Sequence, residues 1–311
     1  MKKWKSLIGI LLMVMGNKVQ AQLILERSLL LSDYPSGSSI EFINNKLFVI
    51  GDDATHLMIL NQNYNKVDSI RLFKGDNRIS KNKKADLESS AVVTAKGNQQ
   101  LVLLGSSSTK RRQQILLYPF NHGKTIESFS IKQFNKRLLN SGLAELNFEG
   151  LAATADNIII VNRGHLGNPT NHFIVTDLNF WVNQKKAAVN IININLENKT
   201  KAFAGISGLS YVPSKDMMLF TASTESTSST YDDGEISDSY IGWISNFSTK
   251  IKLKEITADG LLNLSENNQS FTKQKIESVT VQEVQGNTLI LHLVADNDNG
   301  QSTLFKGRLT L

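Results

Sequence analysis

Cysteine does not occur anywhere in the 311-residue chain. Its absence excludes disulfides, thiolate nucleophiles and cysteine-ligated zinc, and it excludes a lipidated leader. Long apolar runs are missing too. The run from Leu7 to Met15, behind Lys2, Lys3 and Lys5, is too short to span a bilayer. Val19-Gln20-Ala21 after it offers a small-residue cleavage site. Residues 1–21 therefore read as a signal peptide, 22–311 as a single mature domain, and the protein as periplasmic or secreted.

An excess of positive charge is also absent once the leader is set aside. The formal +6 includes Lys2, Lys3, Lys5 and Lys18, so the mature chain carries 30 basic against 28 acidic residues, a net +2. Nothing in that balance calls for nucleic acid or an anionic membrane as partner. The common catalytic signatures are missing as well. The five histidines (His56, His122, His165, His172, His292) form no H-E-x-x-H, Gly205-Ile206-Ser207-Gly208 does not complete G-x-S-x-G, and no Walker or dinucleotide glycine pattern occurs. Asp296 to Gly300 looks like part of a calcium loop, but glycine at 300 and 307 stands where an EF-hand needs oxygen ligands.

What is present is a repeat. Five apolar runs end in a polar knot: 47–53, 101–107, 158–164, 218–223 and 291–297. With Gly51, Gly105, Asn162, Thr221 and Ala295 taken as one column, the spacings are 54, 57, 59 and 74 residues. A strand-like piece precedes each run (38–42, 88–92, 149–153, 207–211, 277–281) and a third follows it (57–60, 115–118, 173–178, 240–244, 303–309). Three strands plus a variable outer one make a propeller blade, so an all-β, five-bladed β-propeller is expected, with a sixth blade in 245–272 as the alternative. The last repeat ends at the end of the chain, and LILERSLLL (23–31) has no blade of its own; it is expected to supply the missing edge strand. Turns are expected at Lys96-Gly97-Asn98 and Gln285-Gly286-Asn287, and a helical turn around Ile131 to Leu146.

Equivalent positions in successive blades face one another around the central channel. The alignment makes Glu88, Glu149 and Glu277 equivalent to Ser38 and Ser207. Three converging carboxylates repel, by roughly 2 kcal/mol per pair at about 7 Å and an effective dielectric near 20. Protonation, interleaved Arg or Lys, or a bound cation relieves this, and hard oxygen ligands favour Ca²⁺ or Mg²⁺ over zinc. Glu88, Glu149 and Glu277 are thus the candidate metal ligands. Asp52, Asp53, Arg163, His165, Glu225 and Asp296 stand in the loops next to these strands and join them as candidate channel-lining residues, with Asp298 beside them. The plainer alternatives are that each Glu ties neighbouring blades through backbone N–H groups, and that the paired acids cap hairpins as Asx-turns. The acidic loop Tyr231 to Glu235 reads as solvated surface, as do Arg71, Lys74, Arg78, Lys81, Lys83, Lys84, Lys110, Arg111 and Arg112.

The blocks GDDATHLMIL (51–60), KADLE (84–88), LNFEGLA (146–152), NRGHLGNPTN (162–171), KIESVTV (275–281) and LVADNDNGQSTLF (293–305) resemble an uncharacterised exported β-propeller family of Bacteroidetes. That family is similar to the phytase-like (esterase-like activity of phytase) and SdiA-regulated propellers, where a Glu-Gly-Leu or Ser-Gly-Leu element opens each inner strand. The wider group implies calcium and phosphoester hydrolysis. This chain departs from it at Ser38 and Ser207, and at Glu88, which is followed by Ser89-Ser90. The function expected is binding of a small-molecule or glycan ligand, or of a divalent cation, in the channel. The alternative is a calcium-dependent phosphoesterase, with Arg163 holding the anion.

Overall fold

The computed structural model describes residues 21–95, 97–120, 125–196, 199–229, 234 and 236–311. The leader up to Gln20, Lys96 of the expected turn, and the acidic stretch 231–235 apart from Gly234 lie outside the described residues. After strand β1 (Gln22–Leu31), β2 (Gly37–Ile43), β3 (Lys46–Gly51), β4 (His56–Asn61) and β5 (Lys66–Arg71) form one antiparallel sheet in chain order. β6 (Leu87–Ala95), β7 (Asn98–Gly105), β8 (Gln114–Pro119) and β9 (Glu127–Ser130) form the next. Helix α1 (Lys132–Asn140), within the stretch expected to be helical, leads to β10 (Phe148–Ala153), β11 (Asn157–Asn162), β12 (Asn171–Asp177) and β13 (Val189–Asn195). The fourth sheet holds β14 (Gly205–Val212), β15 (Met217–Glu225) and β16 (Ile236–Ser245). Next in the chain, β17 (Glu255–Thr257) adds a parallel edge to β13, and β18 (Gly260–Asn263) completes the fourth sheet beside β16. The last sheet runs β19 (Lys275–Gln285), β20 (Thr288–Asp296) and β21 (Ser302–Thr310).

The first strands of the five sheets contact one another in a closed cycle, β2 to β6 to β10 to β14 to β19 and back to β2. The molecule is a five-bladed propeller. Residues 245–272, where a sixth blade was the alternative, supply β17 and β18 to existing blades instead. The buried apolar side chains divide into five clusters, one at each blade interface, with Phe134 and Leu138 of α1 inserted between the second and third blades. A second strand has a neighbouring blade on each face, which is why LFVIG in β3 and MMLFTAST in β15 are buried without alternation. The outer strand β5 has one buried residue, Ile70.

β1 pairs antiparallel with β21 from Gln22–Thr310 to Leu31–Ser302, closing the last blade as its outer strand. Its register skips Glu26, whose carboxylate meets Arg308 at 3.0 Å, while Leu23 enters the core between the fourth and fifth blades. No helix among the described residues is long and apolar enough to cross a membrane.

Each first strand breaks register near its start, between Gly37 and Ser39, Leu87 and Ser89, Phe148 and Gly150, Ile206 and Gly208, and Ile276 and Ser278, and β19 breaks it again between Val281 and Glu283. The residues skipped near the starts are Ser38, Glu88, Glu149, Ser207 and Glu277, the five that the repeat makes equivalent. A bulge inserts one extra residue and re-aims its side chain, and here it does so at the same height in every blade. The residues paired just before the bulges are Gly51, Gly105, Asn162, Ala222 and Ala295, so in the fourth repeat Ala222 belongs to the column in place of Thr221. Immediately after the bulges stand Ser39, Ser89, Gly150, Gly208 and Ser278, all small. At Gly208 a Cβ would lie 2.5 Å from the Glu277 carbonyl oxygen, so the inner strands touch here through backbone.

Candidate ligand site at the channel mouth

The bulge residues open onto a cavity of about 630 Å³ at the N-terminal ends of the first strands. Three levels of blade-equivalent residues build its wall. At the bulges, Glu88, Glu149, Glu277 and Ser38 line it. Two residues earlier come Ser36, Asp86, Asn147, Gly205 and Lys275. At the ends of the second strands, one residue past the column, come Asp52, Arg163, Ser223 and Asp296, with Asp53, His165, Glu225 and Asp298 nearby. Ser36 and Asp86 both adopt positive φ, 48° and 57°, which turns the chain sharply into the strand. At the same level the fourth blade has Gly205, and a Cβ there would meet Arg163 Nε at 2.3 Å. The missing side chain is what admits the guanidinium.

On the side of the first two blades, Lys84 reaches between Asp52 and Asp86. Its Nζ bonds Asp52 Oδ2 and lies 2.8 Å from Asp86 Oδ1. Asp86 Oδ2 also takes Arg112 Nη1 at 2.6 Å and the Ser106 hydroxyl. Arg78 Nε donates to Asp53 Oδ2 at 2.5 Å. On the other side, Arg163 Nη2 donates to Glu225 Oε2 at 2.8 Å and Ser223 Oγ at 3.0 Å, with Nη1 3.8 Å from Glu149 Oε2. Asn147 Nδ2 donates to Glu149 Oε1 at 2.7 Å, and Lys275 Nζ lies 3.0 Å from Glu277 Oε1.

These pairs leave specific oxygens over. Asp52 Oδ1, Asp53 Oδ1 and Glu277 Oε2 are buried and accept no hydrogen bond. Burial drives the acids upward. It raises Glu149 to about 8 in spite of Arg163, and Asp296 to about 8, with Asp52 adding to the effect. Asp52 is raised to about 6, with Lys84 opposing the burial, and Glu88 stands well above the carboxylate range through burial and then Asp86. Burial alone would lower Lys84, but Asp52, Glu88 and Asp86 hold it above its ordinary value. Nine carboxyl groups and six lysines and arginines line the cavity among the described residues. The upward shifts of Glu88, Glu149 and Asp296 reduce the negative charge placed among these cations. Interleaved cations and protonation thus relieve most of the repulsion expected among the acids.

The expected metal set is not the one drawn together. Among the described residues, the group whose ligand atoms all lie within 4.8 Å of one another is Asp52, Asp86 and Glu88. Glu149 and Glu277 face Arg163 and Lys275 instead. Ser207 is also placed differently from expectation. It does not line the cavity, because its buried hydroxyl donates to the Ile276 carbonyl oxygen at 2.8 Å and ties the fourth blade to the fifth. Ser38 does line the cavity, yet its hydroxyl donates to the Leu87 carbonyl oxygen at 2.6 Å. His165 accepts from Gly167 N–H on Nδ1, so Nε2 carries the proton and donates to Glu145 Oε1 at 2.6 Å on the rim. Asp296 Oδ1 accepts from Asp298 N–H at 2.9 Å, the Asx-turn alternative, while also forming cavity wall. Asp86 and Lys275 were missed from sequence, although each stands two residues before a bulge glutamate.

The far ends of the same five strands bound a second cavity of about 520 Å³, with Phe42, Val92, Leu151, Tyr211 and Val281 in its wall. Its one carboxyl at strand centre, Glu41, is raised well above the usual range by burial.

The fold recurs in solved structures of low identity. Glutaminyl cyclase of Myxococcus xanthus superposes with a TM-score of 0.53 at 11% identity, over 93% of this chain and 97% of that one. A GH43 β-1,3-galactosidase with galactodeoxynojirimycin gives 0.50 at 10%, over 88% and 90%. Virginiamycin B lyase of Staphylococcus aureus gives 0.43 at 10%, over 94% and 100%. No curated protein matches the sequence. Residues 33–309, nearly the whole ring, match one family profile, and the chain belongs to the family of unknown function DUF6929.

Proposed function

We propose that the mouth cavity binds a small polar ligand, and that Asp52, Asp86 and Glu88 offer a place in it for a divalent cation such as Ca²⁺. The observation that carries this reading is the set of buried, unpartnered carboxylate oxygens, Asp52 Oδ1, Asp53 Oδ1 and Glu277 Oε2, at one ligand-sized cavity. A buried acceptor without a donor costs about 1–3 kcal/mol, and a bound donor or cation offsets that cost. Oxygen-only ligands suit calcium or magnesium. Lys84 already lies against two of the three acids, so the ion competes with a tethered ammonium and binds weakly.

The arginines argue against the phosphoesterase alternative. An anion bound by Arg163 or Arg112 has to share guanidinium groups whose charge Glu225 and Asp86 already offset. The test is a thermal melt of the purified protein with calcium and with chelator. Saturation at a hundredfold excess over the dissociation constant stabilises by about 2.7 kcal/mol. The expected rise in Tm is lost in Glu88→Gln, which changes the cluster without changing its size. A melt that calcium leaves unmoved would remove the metal from this reading.

A further inference from the structure

We infer that the ligand of the mouth cavity is a neutral polyol, a sugar or a cyclitol, held by hydroxyl donation to Glu277 Oε2 and Asp52 Oδ1 and by contact with the ring of Phe203. The inference rests on the ligand-binding reading above and names the chemistry of its ligand.

Three observations carry it. First, the unmet demand is for donors. Glu277 is almost wholly buried, its Oε1 is held by Lys275 at 3.0 Å, and its Oε2 has no partner. Second, the demand comes without surplus charge. Arg163, Lys275, Lys84 and Arg78 each hold a carboxylate of the chain, so an organic cation entering the cavity meets an ammonium or guanidinium beside Glu225, Glu277, Asp86 and Asp53. A phosphate or carboxylate ligand meets the reverse difficulty, because the cations are engaged. A hydroxyl escapes both, since it donates to the free carboxylate oxygen and accepts from a neighbouring N–H without moving charge into the cavity. Third, the wall is polar but for Ile79 and Phe203, and Phe203 is half-buried there. An aromatic side chain beside a bank of hydrogen-bonding groups fits a ring that is apolar on its C–H face and polar at its edge.

The test is isothermal titration of the full-length protein with galactose, glucose, lactose and myo-inositol as neutral probes, glucose 6-phosphate as an anion, spermidine as a cation, and calcium chloride. Binding of at least one neutral probe is expected, the sugar and inositol arms separating the two sources. Glu277→Gln weakens it about tenfold, the scale of one hydrogen bond to a charged group. Phe203→Ala weakens it about fivefold, and near-ultraviolet circular dichroism reports whether each variant is folded. If Glu277→Gln does not fold, Phe203→Ala decides alone. Binding of glucose 6-phosphate or spermidine without any neutral probe overturns the polyol and leaves the ligand-binding reading standing. Unaltered affinity in a folded Phe203→Ala places the polyol elsewhere and overturns this site for it. Silence of every probe, calcium included, overturns both.

Discussion

The two ends of the channel are bounded by the same five strands and share almost no chemistry. At the mouth, bulges turn Glu88, Glu149 and Glu277 into one cavity with six lysines and arginines around it. At the far end, the same strands leave Phe42, Val92, Leu151 and Val281 beside Glu41, whose carboxyl burial raises well above its usual range. What separates them is the ring of small residues after the bulges, where Gly208 meets the backbone of Glu277 and Ser278. The comparison teaches that polarity in this channel is set by the register break near the start of each first strand, not by the composition of the strands as a whole.

Four changes break or sharpen that contrast, in falling order of expected effect. Lys275→Met strips Glu277 of its ion pair and leaves a buried charge, which costs about 3–5 kcal/mol in urea unfolding at pH 7. A loss below about 1 kcal/mol would mean that water already reaches the mouth acids.

The next effect is a pH dependence. Burial raises Glu149 from 4.5 to about 8, so the folded state holds this proton more tightly than the unfolded state does. The resulting stability is complete below about pH 4.5, declines as pH rises through 8, and is constant above. Between pH 5 and 8 it falls by roughly 4 kcal/mol. Glu149→Gln should flatten that part of the slope in unfolding curves taken from pH 5 to 9, leaving the share that Asp296 and Glu88 contribute.

Gly208→Ala attacks the divider itself. The new methyl would stand 2.5 Å from the Glu277 carbonyl oxygen and 2.7 Å from Ser278 Cα, and forcing β14 away from β19 costs about 2 kcal/mol by the same unfolding assay. At the far end, burial raises the Glu41 carboxyl well above the carboxylate range, so Glu41→Gln, which removes the cost of holding that proton, should modestly raise stability at pH 7 in the same assay and leave titrations at the mouth unaltered.

Much of the architecture was legible because a propeller repeats. The spacing of the five apolar runs gave the blades, and aligning them brought the five bulge residues to one height before any pairing was known. The ring closure by 23–31 followed from a strand without a blade. The charged pairs were harder to read, because each joins residues whose distance in space depends on the ring. Lys84 follows a run of solvated lysines and looks like one of them, yet it is the cation between Asp52 and Asp86. The pattern polar, apolar, polar in Asp86-Leu87-Glu88, Asn147-Phe148-Glu149 and Lys275-Ile276-Glu277 was present in the sequence and marks the second level of the wall. Ser207 was misplaced because its equivalence to the glutamates says where its backbone stands, not that a short hydroxyl finds a carbonyl oxygen before it reaches the cavity.

The pairing of β1 with β21 also governs the order of assembly. Gln22 lies opposite Thr310, so the last blade waits for the ribosome to deliver the final strand while the first partner has long been synthesised. Until then the free edge of β1 is open to any other strand, and a nascent chain escapes mispairing only as long as that edge stays shielded. A circular permutant that carries Gln22–Leu31 behind Leu311 would turn this most distant contact into a local hairpin, and the ring would snap shut without the wait.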